Sequence, residues 1–207
     1  MGRLVVGRSS DEILQIAADF FMKQDDVHIT MSRVATRLRE EHIPYAIIGG
    51  MAIGLHGFLR VTKDLDILTT REGLDRIHER LVGRGFVLAF PGARKRLRDT
   101  ETGVLVDIIT TGEYPGDGKP KAVKYPDPSD SVDRDGYSVI SLPRLIESKI
   151  VTGTMIDYRQ LQDLGDVQAI IRELRLPRSF AEELDSTVRS EFDRLWELAQ
   201  KKDPNLD

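Results

Sequence analysis

The stretch Tyr45-Ala46-Ile47-Ile48-Gly49-Gly50, followed after thirteen residues by Asp64-Leu65-Asp66-Ile67-Leu68, decides how this chain is read. The first segment is an apolar run of strand length that ends on a glycine pair. The second alternates acids with apolar side chains at a period of two, which is a strand pattern. Residues two apart on a strand project from the same face. Asp64 and Asp66 therefore point together, and Leu65 and Ile67 face the opposite, buried side. Two carboxylates so close repel, and one is pushed toward its protonated form unless a cation sits between them. A hard divalent ion with oxygen ligands, Mg²⁺ above all, satisfies such a pair.

Downstream, Gly103-Val104-Leu105-Val106-Asp107-Ile108-Ile109 places one acid in an otherwise apolar run. A carboxylate left unpaired there is costly. If this strand lies beside the Asp64–Asp66 strand, three acids meet on one face. With one or two Mg²⁺ ions they can clamp a triphosphate and lower the pKa of an attacking hydroxyl. Gly49 and Gly50 follow a buried strand and precede a short helix. Glycine lets the backbone approach a phosphate closely, and helix N–H groups point toward it. Arg60, just ahead of the acids, and Lys149, on a later helix, are placed to reach a phosphate. Singly, each signal has a plainer reading: a solvated strand end for Asp-x-Asp, a turn for Gly-Gly, a bridge between Asp107 and Arg60, a solvated helix position for Lys149. Their order and spacing favour the site.

Around this centre, helical periodicity covers residues 10–21 (Ile13, Ile16, Ala17, Phe20, Phe21) and 30–41 (Met31, Val34, Ala35, Leu38). Pro44 ends the second helix. Residues 51–56 read as one or two helical turns, and residues 72–82 as a helix capped by Thr69 or Thr70. Strands are expected at 86–90, 94–99, 104–110 and 137–140. Between the last two lies a long segment, 111–135, rich in Pro, Gly, Asp and Lys. It reads as a loop that closes over substrate or as a solvated excursion. Helices follow at 143–151, 158–172 and 179–201. The expected fold is α/β (α+β): a mixed β-sheet, built from a βαβ unit and hairpins, flanked by helices. Residues 1–140 form this core with its N-terminal helices, and residues 141–207 a C-terminal helical region.

The chain of 207 residues is long enough to bury a core unaided. It has no cysteine, which excludes disulfides, a thiolate zinc site and a cysteine nucleophile. No apolar run approaches the roughly 20 residues that span a bilayer, and residues 1–10 lack signal-peptide features. A cytoplasmic protein with no membrane partner is expected. At a formal net charge of −4, nucleic-acid binding needs a local basic patch. The densest basic run is Arg94-Lys95-Arg96-Leu97-Arg98. Arg94, Arg96 and Arg98 share a strand face, as a charged edge strand or as a contact to acceptor phosphates. His56 reads as structural, holding the Gly50–Gly57 turn by a hydrogen bond.

Together these residues resemble the nucleotidyltransferase superfamily built on the polymerase-β-type fold: an apolar strand, Gly-Gly or Gly-Ser, then apolar-Asp-x-Asp-apolar, with a third acid on a later strand. The string Gly49-Gly50-Met51-Ala52, Leu55-His56-Gly57 and Arg60-Val61-Thr62-Lys63-Asp64-Leu65-Asp66 is similar to bacterial AbiEii-like and minimal nucleotidyltransferases. Lys149 and the later Asp163-Leu164-Gly165-Asp166 fit the same pattern, and the resemblance covers residues 45–171. It implies that Asp64 and Asp66 hold the metals bridging the triphosphate and that Asp107 holds the metal activating the acceptor hydroxyl. Gly49 and Gly50 would contact the nucleotide phosphates, and Lys149 the triphosphate or leaving pyrophosphate. Position 50 is often Ser in the family; Gly50 has no hydroxyl, and Arg60 or the Met51 N–H stands in.

The implied activity is Mg²⁺-dependent transfer of a nucleoside monophosphate from a nucleoside triphosphate to a hydroxyl of RNA, protein or a small molecule such as an aminoglycoside. The AbiEii likeness adds a toxin-like role and an antitoxin partner. A non-catalytic nucleotide- or partner-binding member of the fold is the alternative. Other Asp-x-Asp enzymes fit less well. A glycosyltransferase needs neither the glycine pair nor Asp107, and a haloacid-type phosphatase needs Thr or Val where Leu68 stands.

Overall fold

The structure, a computed structural model, describes residues 25–58 and 60–201. The helix expected at 10–21 lies outside the described residues. The first described helix, α1 (Asp26–Glu40), begins where the Asp25 carboxylate accepts the His28 N–H at 2.9 Å. Its buried stripe of Val27, Met31, Val34, Ala35 and Leu38 follows helical spacing. Strand β1 (Tyr45–Ile48), helix α2 (Gly49–Leu55) and strand β2 (Asp64–Thr69) follow. Helix α3 (Arg71–Leu81) is capped by Thr70, whose hydroxyl accepts the Gly73 N–H at 2.9 Å.

Strands β3 (Phe86–Leu88), β4 (Arg96–Asp99), β5 (Leu105–Thr110), β6 (Val132–Arg134) and β7 (Tyr137–Val139) complete a seven-stranded sheet, ordered β3-β4-β5-β2-β1-β7-β6. It is mixed: β2–β5 and β1–β7 are parallel, and the other neighbours are antiparallel. The expected mixed α/β sheet is therefore present, with three differences. First, β1 and β2 flank a helix yet run antiparallel, so they form no βαβ crossover. Second, β4 is an interior strand between β3 and β5, not an edge. Third, the 111–135 segment contains a 3-10 turn (Pro128–Asp130) and strand β6, so part of it pairs into the sheet.

The alternation along β2 and β5 divides the sheet into two faces. Ile67, Val106 and Ile108, with Leu97 of β4, meet Val34 and Leu38 of α1 and Ile77 and Leu81 of α3. That face is dry core. The other face carries Asp64, Asp66 and Asp107 and is roofed by the helices after β7.

The helices after β7 are α4 (Leu142–Met155), α5 (Asp157–Glu173) and α6 (Arg189–Ala199), of which α4 and α5 supply the roof. Leu164 of α5 packs so closely on Gly153 of α4 that a β-carbon at Gly153 would sit 2.7 Å from its Cδ2. The single helix expected over 179–201 is broken into a 3-10 turn (Arg178–Glu183) and α6. Asp185 explains the break. Its carboxylate accepts the Thr187 N–H at 2.9 Å and the Thr187 hydroxyl at 2.5 Å, local bonds that compete with helix. Its own N–H donates to the buried Glu147 at 2.7 Å, which anchors the break to α4. One hydrophobic cluster runs from Val27 to Ala199 and joins the six helices to strands β1–β5 and β7.

Candidate active site

Parallel register makes Asp66 and Asp107 direct partners across β2 and β5, and Asp64 lies opposite Leu105. The three acids thus share one face, as the alternation in each strand requires. On the other flank of β2, Ile48 partners Asp66, which brings the Gly49 turn over the same spot. Gly49 has φ +66°, and a β-carbon there would overlap the Asp66 carboxylate. At Gly50 a β-carbon would stand 2.9 Å from the Thr62 side chain. Both glycines are thus required by the crowding of the acids and their neighbours.

Ile48, Gly49, Gly50, Thr62, Asp64, Asp66 and Asp107 line a cavity of about 830 Å³ between the sheet, α4, α5 and the loop after β5. The cavity takes in each residue that the sequence offers for metal or phosphate: Gly49, Gly50, Arg60, Asp64, Asp66, Asp107 and Lys149. Burial, then the neighbouring charges of Asp64 and Asp107, push the Asp66 carboxyl up to about 7. Three carboxylates on one face, one of them pushed toward its protonated form by burial and by its neighbours, are oxygen donors of the kind that fits a hard divalent cation. Asp64 accepts the Thr62 hydroxyl at 2.9 Å. Asp107 accepts a bidentate pair from Arg96, Nε to Oδ1 at 2.5 Å and an Nη to Oδ2 at 2.7 Å. Among the described residues no three acids or imidazoles stand close enough together to hold a metal ion as they are placed.

The roof is cationic and held from within. Lys149 is buried, not solvated, and contacts Asp163 at 3.1 Å and Asp166 at 2.7 Å. Asp163 also accepts Arg159 at 2.7 Å and the Thr152 hydroxyl at 2.5 Å, and Asp166 forms an ion pair with Arg60 at 3.1 Å. Burial alone would raise the Asp163 carboxyl, but Arg159, Lys149 and Thr152 outweigh it and hold it below the usual range. Asp163 and Asp166 are three apart on α5, on neighbouring positions of one helix face. Arg60 is thus paired with Asp166, not with Asp107.

The rim is formed by Lys95, Glu113, Tyr114 and Tyr125 among others. Lys95 pairs with Glu113. Burial, and then the charge of Asp66, raise the Tyr125 phenol above its ordinary value. His56 sits away from the cavity chemistry. Its Nε2 donates to the Ile140 carbonyl at 2.8 Å and ties the end of α2 to the chain after β7, a longer reach than the turn expected. Sequence reading missed Arg159, Tyr125 and the Arg96–Asp107 pair. For Arg159 a signal existed: it stands four residues before Asp163 on the same helix. For Arg96, only the register of β4 against β5 reveals the partner.

A family model described as aminoglycoside-2''-adenylyltransferase matches residues 30–138, just over half of the chain. No curated protein matches it. Among solved structures, ANT(2'')-Ia in complex with adenylyl-2''-tobramycin aligns with a TM-score of 0.54 at 12% identity, covering 80% of this chain and 96% of that one. The solution structure of the antibiotic-resistance factor ANT(2'')-Ia aligns at 0.49 and 12% identity, covering 92% and 98%. An antigenic nucleotidyltransferase-like protein from Paracoccidioides brasiliensis aligns at 0.45 and 16% identity, covering 69% and 74%. At such identities the likeness speaks for the fold, and the first of these structures carries it. The matched residues run from within α1 into β7 and so include nearly the whole sheet with its three acids. The chain belongs to the aminoglycoside-2''-adenylyltransferase family and is a nucleotidyltransferase, an enzyme that moves a nucleoside monophosphate from a nucleoside triphosphate to an acceptor.

Proposed function

We propose that Asp64, Asp66 and Asp107 hold one or two Mg²⁺ ions and that the cavity above them binds the triphosphate beside a small polyhydroxylated acceptor of the aminoglycoside type. The observation that carries this reading is the Asp66–Asp107 register, with Asp64 on the same face and the cationic roof opposite. When bound, the metal supplies charge neutralisation of the phosphates and a lowered pKa for the acceptor hydroxyl. The acceptor hydroxyl gives up its proton to solvent, and its oxygen attacks the α-phosphorus. The bond from that phosphorus to the bridging oxygen breaks, and pyrophosphate leaves.

The protein's own part is positioning and charge. Lys149, Arg159 and Arg60 face the triphosphate, aimed by Asp163 and Asp166. Gly49 and Gly50 leave room for the phosphates beside Asp66. Tyr114, Tyr125 and Glu113 stand on the loop side, where the acceptor would lie.

Two observations support a small acceptor. The basic run before β5 is already satisfied: Arg94 pairs with Asp75, Lys95 with Glu113 and Arg96 with Asp107, and Arg98 donates to the Gly103 carbonyl. In the metal-free protein each cation of the run thus has a partner of its own. The family match points to the same acceptor class. The motif string shared with AbiEii-like proteins keeps RNA or protein, with an antitoxin partner, as the competing reading.

The test uses the purified chain, Mg²⁺ and each of the four nucleoside triphosphates labelled at the α-phosphate. Acceptors are a panel of aminoglycosides, tRNA and total protein. Label on an aminoglycoside with release of pyrophosphate is expected. Label on RNA or protein alone, or on no acceptor, overturns the proposal.

A further inference from the structure

Resting on that metal reading, we infer that Arg96 is a resident cation that competes with the divalent ion for Asp107, so that loading the site displaces it. Three strands place the parts in one row. Arg96 of β4 is the register partner of Asp107 of β5, and Asp107 is the partner of Asp66 of β2. The guanidinium fork occupies both Asp107 oxygens, at 2.5 and 2.7 Å. It also feels the charges of Asp64 and Asp66. A positive fork in this position does in the metal-free protein what a cation does in the loaded one: it offsets part of the repulsion within the acid row.

It also stands where the ion must approach. A divalent cation at Asp107 would meet a unit positive charge within contact distance, and the two are not compatible on one carboxylate edge. Arg96 is free to leave. Its side chain is 47% exposed, against 21% for Asp107, and it already opens into the cavity. Releasing it breaks the bidentate pair with Asp107.

Lys95 provides the comparison. It is the neighbouring cation and lines the same cavity, but it pairs with Glu113 and not with the acid row. Its removal takes one positive charge from the same cavity and breaks no bond to Asp107. Displacement from Asp107 makes the two residues differ.

The experiment measures Mn²⁺ binding to the full chain without nucleotide, by the electron paramagnetic resonance signal of free Mn²⁺. Wild type is compared with Arg96→Met, Arg96→Lys, Lys95→Met and Asp66→Asn. Arg96→Met is expected to bind about threefold to tenfold more tightly, the range for removing a half-exposed bidentate competitor. Arg96→Lys keeps the charge but cannot form the fork, so it falls between wild type and Arg96→Met. Lys95→Met stays within about twofold of wild type. The inference is overturned if Arg96→Met binds no more tightly than Lys95→Met. Should Arg96→Met fail to fold, Arg96→Lys decides: tighter binding supports displacement, and unchanged binding overturns it. Asp66→Asn reports separately on the underlying reading. Loss of Mn²⁺ affinity there upholds the metal site, and unchanged affinity removes it whatever Arg96 does.

Discussion

Asp66 and Asp107 stand side by side on adjacent parallel strands, paired in register, and Arg96 continues the row on the next strand. A sheet does not place two acids together for its own stability, because like charges directly opposed are destabilising. The arrangement stores electrostatic repulsion at one spot, beneath a cavity, and leaves it there for a ligand to relieve.

Removing one charge should therefore stabilise the metal-free protein while it damages the site. Asp66→Asn removes the carboxyl that burial, Asp64 and Asp107 hold up to about 7. The sign follows from that shift. The folded state binds this proton more tightly than the unfolded one, so wild type loses stability as pH rises from about 4 through about 7. Asp66→Asn lacks that loss. It should melt several degrees higher than wild type at pH 8 without metal, with the gap shrinking toward pH 5. A variant that melts lower at pH 8 would show that Asp66 carries no stored repulsion.

Gly49→Ala should fail on two counts. The position has φ +66°, and the new β-carbon would overlap the Asp66 carboxylate. The backbone conformation alone costs on the order of 1–2 kcal/mol for a side-chain-bearing residue. For a chain of this size that lowers the melting temperature by about 2–8 °C. The displaced carboxylate should also cut transfer activity by at least tenfold. Wild-type activity in a folded Gly49→Ala protein would separate the glycine from the site.

The roof should behave as a unit. Asp163 is fully buried and holds Lys149, Arg159 and Thr152. Asp163→Ala leaves Lys149 to Asp166 alone and should cost about 3–5 kcal/mol, as expected when one member of a buried charged group is removed. Asp163→Asn keeps the shape and should fold. Its expected defect is a raised KM for the nucleoside triphosphate, because the cations are no longer held in place. An unchanged KM in Asp163→Asn would assign the network to stability alone.

His56 gives a pH signature unrelated to the acids. Burial, with a contribution from Arg134, lowers its imidazole below the ordinary value, partly offset by the bond to the Ile140 carbonyl. The unfolded chain therefore takes up the proton first, and this residue makes stability fall as pH drops below about 6.5. Glutamine can still donate to that carbonyl but cannot titrate. Melting curves from pH 7 to 5 should fall less steeply for His56→Gln than for wild type. Parallel curves would contradict this.

Much of the site was legible because its signals are local. Alternation along residues 64–68 fixes the common face of Asp64 and Asp66, and an apolar run isolates Asp107. What was not legible depended on pairing between distant segments. Arg96 read as part of an edge strand because nothing local says that β3 covers β4. Lys149 is legible as a site residue from its place in the motif order, but its burial is not, because the partners that hold it, Asp163 and Asp166, come from the next helix. The break at Leu184–Val188 was hidden because the apolar stripe of residues 184–198 continues through it. Only Asp185 and its bonds to Thr187 and Glu147 interrupt the backbone. Side-chain bonds to backbone and contacts across strands, not weak periodicity, account for the differences.

The most direct measurement of the central claim is label transfer from an α-labelled nucleoside triphosphate to an aminoglycoside by wild type, Asp64→Ala and Asp107→Ala, with melting temperature recorded for each. The account predicts transfer with stoichiometric pyrophosphate in wild type. It predicts a loss of at least about a thousandfold in both variants, the scale expected when charge stabilisation of a phosphoryl transition state is removed, while both proteins stay folded. Full transfer by folded Asp64→Ala and Asp107→Ala would contradict it.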